Sequence, residues 1–264
     1  MKKAKFTFKA PFLLNIHKRE SFDSESLSKY PISLPIMNNI NISIDKPVFI
    51  ISGDNGTGKS TLLEAIAHHC GFNIDGGNRN HIYKDNINES TLLELNQLTK
   101  YLEFTWKTKI GSGFFMRAES FINFAKYIDL QAKENGRRLA YYHYGGKSLN
   151  EQSHGESFLS LFNNRFGEPG IYILDEPEAA LSPEKILSFM NIIHDMEKEG
   201  TAQFIISTHS PILMAYPNAQ FMYIENGVIT KTDYKSSQHY IITKSFLESP
   251  ERYFKHMFSD EDPE

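Results

Sequence analysis

The residues best suited to chemistry lie in a glycine-rich stretch. Gly53-Asp54-Asn55-Gly56-Thr57-Gly58-Lys59-Ser60 meets every fixed position of the G-x-x-x-x-G-K-[ST] pattern. Glycines let a backbone wrap an anion with its N–H groups pointing inward, and a helix opening at Lys59 adds the positive end of its dipole. Lys59 is then placed for the β- and γ-phosphates of a nucleoside triphosphate. The Ser60 hydroxyl suits Mg²⁺, a hard cation that takes oxygen ligands and keeps several waters. Thr61, directly behind, belongs to the same phosphate-binding set. The ligands implied are ATP and Mg²⁺.

Three further segments could complete a hydrolytic site. In residues 171–177, Ile171-Tyr172-Ile173-Leu174-Asp175-Glu176-Pro177, an apolar run ends in two carboxylates. A buried strand would deliver Asp175 to the sheet edge where the glycine loop opens, to hold Mg²⁺ through water, with Glu176 polarising the attacking water. Residues 205–211, Ile205-Ile206-Ser207-Thr208-His209-Ser210-Pro211, repeat the arrangement. There a neutral His209 can donate to the γ-phosphate or position the water. In Ser153-His154-Gly155-Glu156, Ser153 and Glu156 have the spacing of a capping box. The same helix start, with its small Ser153 and Gly155, is equally an anion site. Local sequence leaves both readings open.

The elements that must position these residues can be read from periodicity. Residues 47–52 (PVFIIS) predict a buried strand, and 59–70 a helix stopped by Gly71. Residues 72–90 are polar and predict an exposed loop. Strands are predicted over 101–106 and 113–117, then a helix over 119–134 with Phe121, Phe124, Ala125, Ile128 and Leu130 as its apolar set. A second helix begins near Ser153. Further strands are predicted at 170–174 and 203–207. The helix between them, 183–198, is expected to turn Ile186, Leu187, Met190, Ile193 and Met196 inward. Asn226-Gly227 signals a hairpin joining 221–225 to 228–232. Strands alternating with helices imply an α/β fold: a P-loop core with a mostly parallel sheet flanked by helices, some antiparallel β elements and an inserted helical lobe.

Length and composition agree with one unit. The chain has 264 residues, 40% hydrophobic and 23% charged, which fits a single domain over 1–264 with a lobe inserted at about 118–167. A net charge of −4 gives no global attraction for nucleic acid. The single cysteine, Cys70, excludes an intramolecular disulfide. The first residues lack the apolar run of a signal peptide, and no stretch reaches the roughly 20 residues needed to span a bilayer. A cytoplasmic location without direct membrane insertion is the expectation.

The order of motifs from Val48 to about Pro211 resembles the ABC ATPase superfamily. Glycine loop, Ser153-His154-Gly155-Glu156, strand with Asp175-Glu176-Pro177, and strand with Thr208-His209 follow one another as they do there. The resemblance implies that 153–156 is the signature motif and that Ala180-Leu181-Ser182 lies in the loop crossing a dimer interface. It also implies a head-to-tail homodimer with two sandwiched ATP molecules, each between one copy's phosphate loop and the other's Ser153 and Gly155. The spellings Glu176 to Pro183 and Ser207 to Pro211 look more like soluble head domains of the chromosome-maintenance, DNA-repair and phage-defence branch than transport subunits. About a hundred residues separate loop and signature, too few for coiled-coil arms. Gln152-Ser153-His154-Gly155-Glu156 departs from the Leu-Ser-Gly-Gly-Gln of transport subunits. In place of the family's glutamine loop, Glu119 at the Arg117-Ala118-Glu119 junction is the candidate near Mg²⁺, although an ordinary helix N-terminus accounts for it equally. The activity implied is Mg-dependent ATP hydrolysis by a dimerising ATPase that acts on a protein partner or nucleic acid. The alternatives are a transporter's nucleotide-binding subunit and an ATP-sensing scaffold with little turnover.

Overall fold

The strands, in chain order, are β1 (Leu13–Lys18), β2 (Asn41–Ser43), β3 (Val48–Gly53), β4 (Leu102–Trp106), β5 (Gly113–Arg117), β6 (Gly170–Asp175), β7 (Ala202–Ser207), β8 (Gln220–Glu225) and β9 (Val228–Lys231). Helices of at least eight residues are α1 (Lys59–Cys70), α2 (Glu89–Tyr101), α3 (Phe121–Asn135), α4 (His154–Arg165), α5 (Pro183–Glu199), α6 (Gln238–Glu248) and α7 (Pro250–Met257). The computed structural model describes residues 9–79, 81, 88–152, 154–165 and 169–258.

Six strands form the central sheet in the order β5-β6-β7-β3-β8-β9, parallel except for the final β8–β9 hairpin. Every residue of β3, β6 and β7 is buried. This is why these runs are continuously apolar instead of alternating, since a parallel strand is covered on both faces. Alternate residues still part to opposite sides. Val48, Ile50, Tyr172, Leu174, Phe204 and Ile206 join the cluster containing α3, α4 and α5, whereas Phe49, Ile51, Ile171, Ile173 and Ile205 join the one containing α1. The predicted turn is present, with Asn226 and Gly227 at φ 50° and 75° between paired Glu225 and Val228. Both central residues have the left-handed conformation that a tight two-residue hairpin needs.

A smaller antiparallel sheet, β2-β1-β4, packs over the α1 side. Two buried glutamines fasten it to the central sheet. Gln203 on β7 accepts from Phe12 N and Leu13 N at 2.8 Å each and donates to Leu13 O at 2.9 Å. Gln220 on β8 accepts from Asp45 N at 2.7 Å and donates to Ser43 O. Both amides are thereby satisfied where an unpaired polar group would be costly.

Several elements depart from the periodicity reading. β1, β2, α2, α6 and α7 are not among those predicted. α2 begins at the last two residues of the stretch expected to be loop and continues through residues 91–100, for which no element is predicted, with Asn88 capping Ser90 N and only Leu95, Leu98 and Tyr101 buried. Its apolar stripe is too thin to stand out from the polar residues between. In α5 the inward stripe is Ile186, Phe189, Ile193 and Met196, while Leu187 is 55% exposed. Leu130 of α3 is likewise 55% exposed. Neither residue lies on the buried stripe that its neighbours define, so a hydrophobic type alone misplaces it.

Candidate functional site

The parallel register sets the chemical residues in a row. Arg117 pairs with Asp175, Asp175 with Ser207 and Ser207 with Ile51, two residues before Gly53. The carboxyl ends of β5, β6, β7 and β3 therefore open together, where ligands of open α/β sheets bind.

The loop after β3 depends on glycine at two positions. Gly53 has φ 152°, and a Cβ there would stand 2.7 Å from Ile224 O. Gly58 has φ 95°, with Ile36 Cγ2 2.8 Å from the corresponding position. No side chain caps the N-terminus of α1. Gly58, Lys59, Ser60 and Thr61 instead line a cavity of about 460 Å³ together with Asn55, Gly56, Glu119, Glu176, Tyr30 and Leu34. An uncapped helix start facing an open cavity fits an anion. Lys59 is 4% exposed, and its Nζ donates to Gly53 O at 2.7 Å and Asp54 O at 2.9 Å. Burial lowers its pKa against the opposing pull of Glu176 and Asp175.

Asp175, 2% exposed, is the hub. Its Oδ1 accepts from Ser60 Oγ at 3.2 Å and from Ser207 Oγ, and its Oδ2 from Arg117 Nε at 2.9 Å. Arg117 also reaches Glu64 on α1 at 2.6 Å. Burial tends to lower the Arg117 pKa, but the carboxylates of Glu64 and Asp175 outweigh it and the net shift is upward. For Glu64 burial wins over Arg117, and its pKa is raised. Ser60, Asp175, Glu176, Glu119, Arg117, Ala118 and Ala179 line an adjoining cavity of about 260 Å³. A hydroxyl and a carboxylate in contact at its wall are a hard-oxygen set that fits Mg²⁺, which commonly takes one or two carboxylates plus phosphate oxygens.

Glu176 sits in the left-handed region, φ 51° and ψ 52°, with its N–H bonded to Ser207 O at 3.1 Å. A non-glycine residue held there costs of order 1–3 kcal/mol, a strain found at functional sites. The conformation turns the chain sharply after β6. Burial, then Asp175 and Glu178, raises the Glu176 pKa. His209 Nε2 lies 3.3 Å from Glu176 Oε1 without hydrogen-bond alignment. Burial, then Lys59 and His239, lowers the His209 pKa to about 4, so the imidazole is neutral and the contact is not an ion pair. Glu178 accepts from His209 N at 2.6 Å and Ser210 N at 3.1 Å, tying the turn after β6 to the turn after β7.

Of the residues singled out in the sequence, the structure brings Gly56, Gly58, Lys59, Ser60, Thr61, Asn55, Glu119, Asp175 and Glu176 to two adjoining cavities. His209 touches Glu176. Gly53 and Asp54 hold the Lys59 ammonium through their carbonyls, and the Thr57 hydroxyl bonds to Asp54 O at 2.8 Å. Gly155 lines neither cavity. It is buried at the start of α4, where a Cβ would meet Lys185 Cδ at 2.6 Å and Ala180 O at 3.3 Å. Ser153 lies outside the described residues. Sequence reasoning missed Arg117, Glu64, Ser207, Glu178, His239 and Tyr30. The first could have been suspected as a charge ending a buried strand; the others carry no local signal.

The fold and this cluster define a P-loop nucleotide-binding domain, a glycine loop between strand and helix at the edge of a mainly parallel sheet. The sequence model of the AAA domain family AAA_23 matches residues 32–226, and the chain belongs to that family. A Bacillus cereus protein named as an ABC transporter ATP-binding protein is 24% identical over 267 residues, covering 92% of this chain and 47% of its own length. A Methanocaldococcus jannaschii ABC transporter ATP-binding protein is 28% identical over 211 residues, 75% of this chain and 79% of its own. The chain spans about half the length, or less, of the first Bacillus relatives it matches. Among solved structures, the SMC head domain from Thermotoga maritima aligns with 17% identity and TM-score 0.44, covering 84% of this chain and 99% of that one. A dimeric ABC transporter cassette aligns with 20% identity and TM-score 0.40, covering 73% and 89%. Among the described residues no helix is long and apolar enough to cross a membrane.

Proposed function

We propose that this chain hydrolyses ATP to ADP and phosphate with Mg²⁺, as a single domain over 1–264 carrying its lobe at 118–167. The convergence of Lys59, Ser60, Asp175, Glu176 and His209 at one sheet edge carries this reading. The N–H groups of residues 53–61 and the Lys59 ammonium bind the phosphates. Ser60 and Asp175 would hold Mg²⁺, which when bound would neutralise phosphate charge; Glu119 stands at the same wall. Glu176, its basicity increased by burial and by Asp175, accepts a proton from water as the water oxygen attacks the γ-phosphorus and the bond to the β-bridging oxygen breaks. Lys59 stabilises the charge that passes to ADP. His209 orients the water or donates to the γ-phosphate.

The second wall of the site is assigned to Ser153 and Gly155 of another copy in an ATP-bound head-to-tail homodimer. That Gly155 stands outside both cavities of its own chain supports this assignment. Dimer opening would then follow hydrolysis and work on a protein partner or nucleic acid, as the motif spellings of the soluble head-domain branch suggest. The names of the Bacillus and Methanocaldococcus relatives favour a second reading, the nucleotide-binding subunit of a transporter.

Two variants test the core of the proposal. Lys59→Ala should lose ATP binding by titration calorimetry. Glu176→Gln should keep binding, lose turnover and sediment as a dimer in saturating Mg-ATP. Undiminished affinity in the first variant, or a persistent monomer in the second, would remove the phosphate-loop or the dimer assignment respectively.

A further inference from the structure

His239 is the second residue of α6, two residues after the buried cap Ser237, whose hydroxyl donates to Tyr234 O at 2.7 Å and accepts from Tyr240 N at 3.3 Å. Its position is therefore set by a well-anchored helix start. The two imidazoles meet with His239 Nε2 2.8 Å from His209 Nδ1, ring centroids 4.6 Å apart and planes tilted by 48°. The outer nitrogens, His209 Nε2 and His239 Nδ1, are buried without a hydrogen-bond partner. His209 Nε2 nevertheless lies 3.3 Å from Glu176 Oε1.

We propose that His239 is a positioning residue for the catalytic centre: its Nε2–H donates to His209 Nδ1 and thereby keeps the His209 proton on Nε2, facing Glu176. Two neutral rings share two protons over four nitrogens, and only two arrangements fill the contact between them. If His209 Nδ1–H were the donor, His239 would carry its proton on Nδ1, a buried N–H with no acceptor. The bare lone pair of His209 Nε2 would also face a carboxylate oxygen. In the reverse arrangement the His239 Nδ1 lone pair is unused, and His209 Nε2–H lies 3.3 Å from the Glu176 carboxylate, whose charge attracts it although the hydrogen bond is not aligned. Each arrangement leaves one buried N–H without an aligned partner, but only His209 Nε2 has a carboxylate beside it, which attracts an N–H and repels a lone pair, so the second arrangement prevails. Burial lowers the pKa of both rings, which supports treating them as neutral.

The catalytic consequence rests on the ATPase reading: an Nε2–H beside Glu176, which lines both cavities, can donate to the γ-phosphate or to the attacking water, whereas a bare Nε2 cannot. Assigning that role to the tautomer makes α6, outside all four sequence motifs, part of the hydrolytic apparatus.

Gln and Glu at position 239 have nearly the same shape, but only Gln can donate. The full chain labelled with nitrogen isotope in histidine, read by long-range proton–nitrogen correlation, reports each tautomer, and His209→Gln identifies the His209 signals. The wild type and His239→Gln should show His209 protonated on Nε2, and His239→Glu should move the proton to Nδ1. ATPase kcat should stay within about threefold of wild type for His239→Gln and fall on the order of 10²-fold for His239→Glu, with KM little changed. Should His239→Glu not fold, the wild-type tautomer and the kcat of His239→Gln still decide the matter. A wild-type His209 protonated on Nδ1, an unmoved proton in folded His239→Glu, or a large kcat loss in His239→Gln overturns the proposal. A wild type without ATP turnover would refute the ATPase reading alone, because the tautomer is observed independently.

Discussion

Replacing Arg117 by methionine removes a cation that joins Asp175 to Glu64 while keeping much of the side-chain length. The wild-type guanidinium makes hydrogen bonds of 2.9 Å to Asp175 and 2.6 Å to Glu64, with side-chain exposures of 24% for Arg117, 2% for Asp175 and 18% for Glu64. Each hydrogen bond to a charged group contributes about 1.5–3 kcal/mol, and stripping the partner from a buried pair costs about 3–5 kcal/mol. Partial exposure places the expected loss at the lower end, about 3 kcal/mol, or roughly 6–12 °C in Tm for a domain of this size. The loss should depend on pH. Glu64 already has a raised pKa from burial, and without Arg117 it rises further. A carboxyl whose folded pKa exceeds its unfolded value destabilises the fold only when ionised, so the penalty is small below the unfolded pKa and complete above the folded one. Urea unfolding of both proteins, followed by far-ultraviolet circular dichroism at pH 7.5 and near pH 4.5, measures it, with Glu64→Gln and the double variant closing a cycle. The double variant should cost less than the sum of the singles, because Arg117 and Glu64 are in contact. A loss under about 1 kcal/mol at pH 7.5, or strict additivity, would refute the view that Arg117 is the electrostatic keystone of this edge.

Gly58→Ala should destabilise the protein by about 2–4 kcal/mol, because it combines an unfavourable positive φ with a close approach to Ile36. Gly56→Ala, with φ 78° and nothing within 4 Å of the added carbon, should cost only about 1–2 kcal/mol, and melting curves of the two variants test the ordering. His209 titrates near 4 when folded, below the ordinary histidine value of 6.5, so its protonation favours the unfolded chain. Stability should therefore fall as pH drops from about 6.5 toward 4, with up to about 3 kcal/mol from this residue, and His209→Gln should flatten that part of the Tm profile. His69, also lowered to about 4 by burial, adds a further acid-sensitive contribution that the variant leaves in place.

The glycine loop, the carboxylate pair at the end of β6 and the histidine after β7 are legible in the linear sequence because each is a short pattern attached to its own apolar strand. So is the hairpin at Asn226-Gly227, since φ requirements act on single residues. Periodicity serves least where an element's apolar stripe is thin or interrupted, as in α2 and the C-terminal helices, or where one exposed leucine imitates a core position, as Leu187 and Leu130 do.

The glycine loop and the strand-borne motifs are thus determined by the sequence itself, because phosphate cradling and strand burial depend on residues within one segment. Tertiary structure alone decides what surrounds them. Arg117 meets Asp175 only because β5 lies beside β6, His239 meets His209 only because α6 folds back onto the end of β7, and Gln203 fastens β1 from a distance of 190 residues. These are pairings between polar groups that burial forces to find partners, and the partner's identity depends on which elements the packing makes neighbours.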